Sequence, residues 1–401
     1  MIIYLSFNKL KLVIILSLII IFFILSSINK YFIKQVSRII YKDNIDNMKQ
    51  IQNFIYTNID GDIINSNEKF YKIDQPKISI VISVYNGERF LKNALLSIQN
   101  QDFKEIEIII VDDYSKDKSV DLIKEYMNID QRIVLLMNNK NRGALYTKTK
   151  GILQAKGKYV MVLDVDDLYA TKDAFSRLFE ISEKNDLDML GFSSIFTDIN
   201  IKNNSFIYNY FETPVIFQPK IKERMFYYNE KGELLRRGGL IWCFFIKKEL
   251  FIKIIYQIDK LFLNRIMNVH DDLLLFFLLT RNAKSLKYIK RIFHVYLIIS
   301  NTNDTTIIKH NIEKNKERKI NNCFAYLNYI EFLLLKTNET IIDKKIASNQ
   351  LEEWFLNHKC KDNNIVRKES MKICNLFLKN KYIEEVIKKK IIFYLNKIKS
   401  I

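Results

Sequence analysis

Cysteine and histidine are scarce in this chain of 401 residues, and the common nucleophile and nucleotide signatures are missing. Cys243, Cys323, Cys360 and Cys374 form no C-x-x-C pair, which removes zinc-ribbon spacing and leaves one disulfide, two or none open. His270, His294, His310 and His358 are scattered, with no H-E-x-x-H among them. Neither G-x-S-x-G nor a Walker-type glycine loop occurs, so several hydrolase and NTPase chemistries lack their usual motifs. No compact Arg/Lys cluster with interleaved aromatics marks a nucleic-acid surface, and no nucleic-acid partner is expected. Internal repeats and low-complexity tracts are absent as well.

What is present begins with charge and apolar content. The net charge of +18 favours anionic partners, although Lys, Asn and Ile are abundant throughout. A hydrophobic share of 48% supports a sizeable core, with room for one large domain or two ordinary ones. After a short tail, 1–11, residues 12–28 read LVIILSLIIIFFILSSI without a charge. As a helix this segment rises about 25 Å, near the lower limit for a bilayer, and we read it as an uncleaved single-pass membrane anchor. A cleaved signal peptide is the rival, but no A-x-A-like site follows. Lys30, Lys34, Arg38 and Lys42 outnumber Lys9 and Lys11, which keeps the body cytosolic by the positive-inside rule. Sequons at Asn203, Asn303 and Asn338 suit instead a lumenal body, in the ER or Golgi. Orientation stays open.

Residues 29–76 are polar and read as a stem. A rhythm of β-branched runs then begins: Ile78–Val84, Ile106–Val111, Arg132–Met137, Tyr159–Leu163 and a weaker Met189–Phe192. Helical patterns lie between them, such as Phe90, Ala94, Leu95 and Ile98. Strands apolar on both faces, alternating with helices, predict an α/β fold with a mostly parallel sheet over residues 77–300. Such sheets bind ligands beyond the C-terminal ends of their strands. From about residue 301 helical periodicity dominates. Ile383, Val386, Ile387, Ile391, Tyr394, Leu395 and Ile398 form an apolar stripe, either core-facing or lying on a membrane.

The strand ends are polar. Tyr85 and Asn86 follow the first run, Asp112 and Asp113 the second, and Asp164-Val165-Asp166-Asp167 the fourth. In extended backbone Asp164 and Asp166 would point one way and Asp167 the other. Two converging carboxylates suit Mn²⁺ or Mg²⁺, which in turn holds phosphates. An ordinary acidic loop is the plain alternative.

The ordered set from Ile78 to Tyr169 resembles glycosyltransferase family 2, which has the GT-A fold. Ile80-Val81-Ile82-Ser83-Val84-Tyr85-Asn86 is similar to the family's first strand. Ser97-Ile98-Gln99-Asn100-Gln101 follows S-[IV]-x-x-Q, and Val111-Asp112-Asp113-Tyr114-Ser115-Lys116-Asp117 follows V-D-D-G-S-x-D. Asn141-Arg142-Gly143 and Gly157-Lys158-Tyr159 take the N-x-G and G-x-Y places, and Asp164-Val165-Asp166 the D-x-D. Further on, Trp242–Phe251 resembles the acceptor-side stretch, and His270-Asp271-Asp272 the [ED]-D pair. Two departures stand out: Tyr114 replaces glycine, and Lys148-Thr149 replace Arg-Asn, losing the planar fork.

The resemblance implies a nucleoside-diphosphate sugar as donor and a glycan, glycoprotein or lipid hydroxyl as acceptor. Tyr85, Asn86, Asp112, Asp113, Lys148 and Asp164 would bind the donor, and Asp166 with Asp164 the divalent cation. Asp272 or Asp271 would be the base of a single inverting displacement, with a helix N-terminus as the plain reading of that pair. Trp242 would stack on an acceptor sugar or fill the core. Two other readings are a nucleotidyltransferase, against which Tyr85-Asn86-Gly87-Glu88-Arg89 stands in place of a glycine-rich basic loop, and a silent membrane-tethered binding protein.

Overall fold

Ile80 and Ile82 sit on one face of the first strand and Val81 on the other, and all three are buried. That is why this run does not alternate with polar residues: helices cover the sheet on both sides. The computed structural model of the protein describes residues 70–198, most of 206–298, the helix Asn364–Lys379 and a few positions beyond it. In chain order the elements are β1 (Ile78–Val84), α1 (Glu88–Gln99), β2 (Ile106–Asp112), α2 (Ser119–Ile129), β3 (Ile133–Met137), α3 (Ala144–Gln154), β4 (Tyr159–Asp164), β5 (Leu168–Tyr169) and α4 (Ala174–Asn185). There follow β6 (Met189–Asp198), β7 (Phe206–Tyr208), β8 (Ile216–Phe217), β9 (Phe226–Tyr228), β10 (Leu234–Arg236), β11 (Phe244–Lys247), α5 (Lys248–Ile255), α6 (Asp271–Asn282), β12 (Ser285–Ile298) and α7 (Asn364–Lys379).

The main sheet runs β3-β2-β1-β4-β11-β6-β12-β5, with β7 on β6 and β8 on β12. The strands β3, β2, β1 and β4 are parallel, as expected. Beyond β4 the expectation of a mostly parallel sheet is corrected. Strand β11 is antiparallel to both β4 and β6, and β12 is parallel to β6 but antiparallel to β5 and β8. A strand buried on both faces is continuously apolar in either direction, so its sequence carries no sign of which way it runs.

Two cores lie on the two faces of the sheet. One gathers Ile80, Ile82, Leu95, Ile108 and Ile110 with Phe175 and Leu178 of α4. The other gathers Val81, Ile109 and Val111 with Leu145 of α3, Phe251 of α5 and Leu274 to Leu279 of α6. Each fully buried Ile, Leu or Phe contributes about 1.5–3 kcal/mol by leaving water. The apolar run Leu273–Leu279 is thus a core helix. Val366, Ile373 and Cys374 of α7 join the same core, so this part of the C-terminal region is helical and packed. Cys243 and Cys374 are buried free thiols.

Among the described residues no helix is long and apolar enough to cross a membrane. The expected anchor 12–28, the stem up to residue 69, all three sequons, His270 and most of the C-terminal stripe lie outside the described residues.

Candidate active site

Register brings the polar strand ends together. Val84 of β1 pairs with Asp112 of β2, and Ser83 with Asp164 of β4, so three parallel strands finish at one edge. Their loops are laced to one another. The Asn86 N–H donates to Ser115 Oγ (2.9 Å), and Asn86 Oδ1 accepts the Lys116 N–H (2.8 Å). Gly87 and Glu88 donate to Ser119 Oγ and Asp117 Oδ2. A Cβ on Gly87 would stand 3.0 Å from Val165 Cγ2, so glycine lets the first loop close against the acidic turn. Tyr85 is left half exposed at the rim.

The two aspartates ending β2 have separate jobs. Asp113 is buried, and its carboxylate accepts from Asn138 Nδ2 (2.9 Å), the Arg142 N–H (2.7 Å) and the Gly143 N–H (2.8 Å). It holds the loop that opens α3, and its acceptor capacity goes to the protein rather than to a donor. Asp112 Oδ2 accepts the N–H groups of Tyr114 (3.0 Å) and Ser115 (3.1 Å), while its buried Oδ1 has no hydrogen-bond partner. A buried acceptor left over is costly unless a ligand satisfies it. Tyr114, in the glycine place, adopts φ 69°, and the Lys116 ammonium lies 3.2 Å from its ring centroid. The left-handed region costs such a residue about 1–2 kcal/mol.

Extended backbone ends at Asp164. The next residues form a turn closed by the Asp167 N–H on the Asp164 carbonyl (3.0 Å), so strand alternation does not govern Asp166. Burial, then the nearby Asp164 carboxylate, raises the pKa of Asp166, and Asp167 is fully buried. Burial first, then Asp164 and Asp166, pushes the Asp167 carboxyl well above the ordinary range. The S-[IV]-x-x-Q segment braces the exit of this turn: Ser97 Oγ accepts the Tyr169 N–H, and Gln101 bonds the Thr171 carbonyl and the Phe175 N–H.

Lys148, on the inner face of α3, joins the acidic turn to α6. Its Nζ is 3.0 Å from Asp164 Oδ1 and 3.0 Å from Asp271 Oδ2, and the side chain is only 4% exposed. Burial works to lower its pKa, but Asp164, Asp271 and Asp272 outweigh it and hold the ammonium above the ordinary lysine range. Asp271 is thereby engaged by Lys148. Asp272 is half-buried at the start of α6, with its Oδ1 accepting the Leu273 N–H (2.8 Å).

The acid-rich cluster fits a divalent cation. Asp164, Asp166, Asp167, Asp271 and Asp272 share one buried lysine, and burial and mutual repulsion raise two of the carboxyls. Among the described residues no three His, Cys, Asp or Glu side chains form a ready metal cage. Two carboxylates completed by substrate phosphates are a usual magnesium arrangement.

Trp242 does not join this cluster. It is 3% exposed and stacks on His294 (4.4 Å between centroids) and Tyr296 (5.5 Å). The acceptor-stacking role expected for it is therefore corrected to packing: a buried ring offers a sugar no surface. Sequence reasoning also missed Asn138, Ser194 and His294. No motif marks them, because Asp113 lies 25 positions from Asn138, and His294 lies 100 from Ser194 and 127 from Asp167.

Residues 79–255 match the model of Glycosyl transferase family 2. The chain is 36% identical over 132 residues to an uncharacterized glycosyltransferase of Methanocaldococcus jannaschii, covering 32% of this chain and 45% of that one. It is 40% identical over 93 residues to the GalNAc(5)-diNAcBac-PP-undecaprenol beta-1,3-glucosyltransferase of Campylobacter jejuni, covering 23% and 30%. The chain thus spans less than half the length of these two curated relatives. The fold is similar to the crystal structure of S. aureus TarS 1-349 in complex with UDP-GlcNAc, with a TM-score of 0.56 and 14% identity over 81% of this chain and 87% of that one.

Proposed function

We propose that this protein transfers a sugar from a nucleoside-diphosphate sugar to an acceptor hydroxyl, with inversion and with a divalent cation on the donor diphosphate. The observation that carries the reading is the Lys148 bridge, which ties the acidic turn ending β4 to the acidic start of α6 through two 3.0 Å contacts. Donor-side and acceptor-side chemistry then meet at one buried ammonium.

In this reading Asp112 reads the base or ribose with its unpartnered Oδ1, and Tyr85 borders the same edge. Asp164 and Asp166 would hold Mn²⁺ or Mg²⁺, which when bound would supply positive charge against the donor diphosphate. Lys148 keeps a fixed positive charge beside that diphosphate and holds Asp164 in place. Asp271 is engaged by the lysine, and Asp272, at the start of α6, takes the proton from the acceptor hydroxyl as the hydroxyl oxygen attacks the anomeric carbon. The new C–O bond forms as the bond to the diphosphate breaks, and no covalent enzyme intermediate is needed. The apolar segment 12–28 would tether this chemistry to a membrane, where a lipid-linked or membrane-borne glycan is one acceptor within reach.

Asp272→Asn tests the division of roles. Transfer should fall by about 10²–10⁴-fold, the range for losing a general base, while nucleoside diphosphate binding is kept. Loss of nucleotide binding instead would remove Asp272 from the base role.

A further inference from the structure

Directly behind the acidic turn lies a polar pair that the mechanism above does not use. Asp167 Oδ1 accepts the Leu297 N–H of β12 (3.3 Å). Its Oδ2 faces His294 Nε2 at 3.4 Å, an approach without hydrogen-bond geometry, and each of these two buried atoms lacks a hydrogen-bond partner. The other imidazole nitrogen, Nδ1, is 2.9 Å from Ser194 Oγ, from the residue paired with His294 across β6 and β12. Trp242 stacks on the imidazole at 4.4 Å and 20° and fixes its plane. Asp167 is meanwhile tied to Asp164 by the turn-closing N–H.

These contacts make one chain of position. Ser194 and Trp242 leave the imidazole a single orientation. With the Ser194 hydroxyl donating to Nδ1, the proton of a neutral ring sits on Nε2, the nitrogen nearer Asp167. Asp167 cannot rotate without giving up both β12 contacts, and it is one residue from Asp166. We infer that His294 is a positioning residue: through Asp167 it anchors the Asp164–Asp166 turn to β12 and sets the geometry in which that turn captures the donor's metal-bound diphosphate. The inference rests on the donor-site reading above. Outer partners of this kind typically change metal affinity by about 10–100-fold.

The test compares wild type, Asp166→Ala, His294→Phe, His294→Gln and Ser194→Ala in the full chain. Mn²⁺ binding in the presence of UDP is followed by electron paramagnetic resonance, beside thermal melting without metal. Phenylalanine keeps the stack on Trp242 and removes Nε2, whereas glutamine can return an N–H to about that place. His294→Phe should weaken Mn²⁺–UDP binding about tenfold or more, with His294→Gln recovering most of it. Ser194→Ala should move in the same direction by about threefold, and it keeps the question decidable should His294→Phe fail to fold. Equal melting losses in both His294 variants with wild-type binding would reduce His294 to packing and overturn the inference. Absence of Mn²⁺–UDP binding by the wild type, or wild-type binding by Asp166→Ala, would overturn the donor-site reading itself.

Discussion

Lys148→Met removes the one ammonium that holds Asp164 and Asp271 together. Methionine keeps much of the stem's volume, so packing changes little and the loss is mainly electrostatic. The Lys148 side chain is 4% exposed and that of Asp271 6%, while Asp164 is 31% exposed. The two carboxylate oxygens that Lys148 bridges lie at most twice 3.0 Å apart. Left facing each other, they repel by about 3 kcal/mol at an effective dielectric of about 20. Removing one partner of a buried ion pair costs about 3–5 kcal/mol in other proteins, which agrees. For a domain of this size that lowers the melting temperature by roughly 10 °C. Circular dichroism melts at pH 7 without divalent cation measure the loss directly. The pH dependence has a definite sign. Burial opposes the charged form of Lys148, but the aspartates hold its pKa above the ordinary 10.5, so the stabilisation is complete below that pH and is lost only as pH rises through the higher folded value. The gap between wild type and variant should therefore stay constant from neutral pH up to the ordinary lysine pKa. A variant that melts with the wild type at pH 7, or a gap that closes below that value, would refute the reasoning.

Two other substitutions separate support from chemistry in the β2 loop. Asp113→Ala strips the partners from Asn138 and from the Arg142 and Gly143 N–H groups, and should cost about 3–5 kcal/mol in urea denaturation. Tyr114→Gly should be about 1 kcal/mol more stable than Tyr114→Ala, because only glycine escapes the cost of φ 69°, and equal stability would show that the loop relaxes.

The parallel half of the sheet was legible because each β-branched run ends in polar residues, and the acidic turn after β4 stood out for the same reason. Other features depended on contacts between distant parts of the chain. Asp112 and Asp113 are neighbours of one type, yet Asp113 is engaged by a loop some 30 positions on, which no local pattern announces. The i, i+2 spacing of extended backbone does not describe Asp164 and Asp166, because the strand stops at Asp164 and a tight turn follows. Trp242 reads the same at an acceptor surface and in a core; only its stack on His294 decides. Strand β11 is short, and its buried residues Phe244, Phe245 and Ile246 are all apolar, so its antiparallel direction had no sequence signature.

The central claim is metal-assisted transfer from a nucleoside-diphosphate sugar at the turn after β4. A donor screen that reads release of nucleoside diphosphate, with Mn²⁺ and with chelator, on wild type and Asp166→Ala, tests it most directly. Release from at least one donor should require Mn²⁺ and disappear in Asp166→Ala. Release that persists in chelator, or Mn²⁺-dependent release retained by Asp166→Ala, would contradict it.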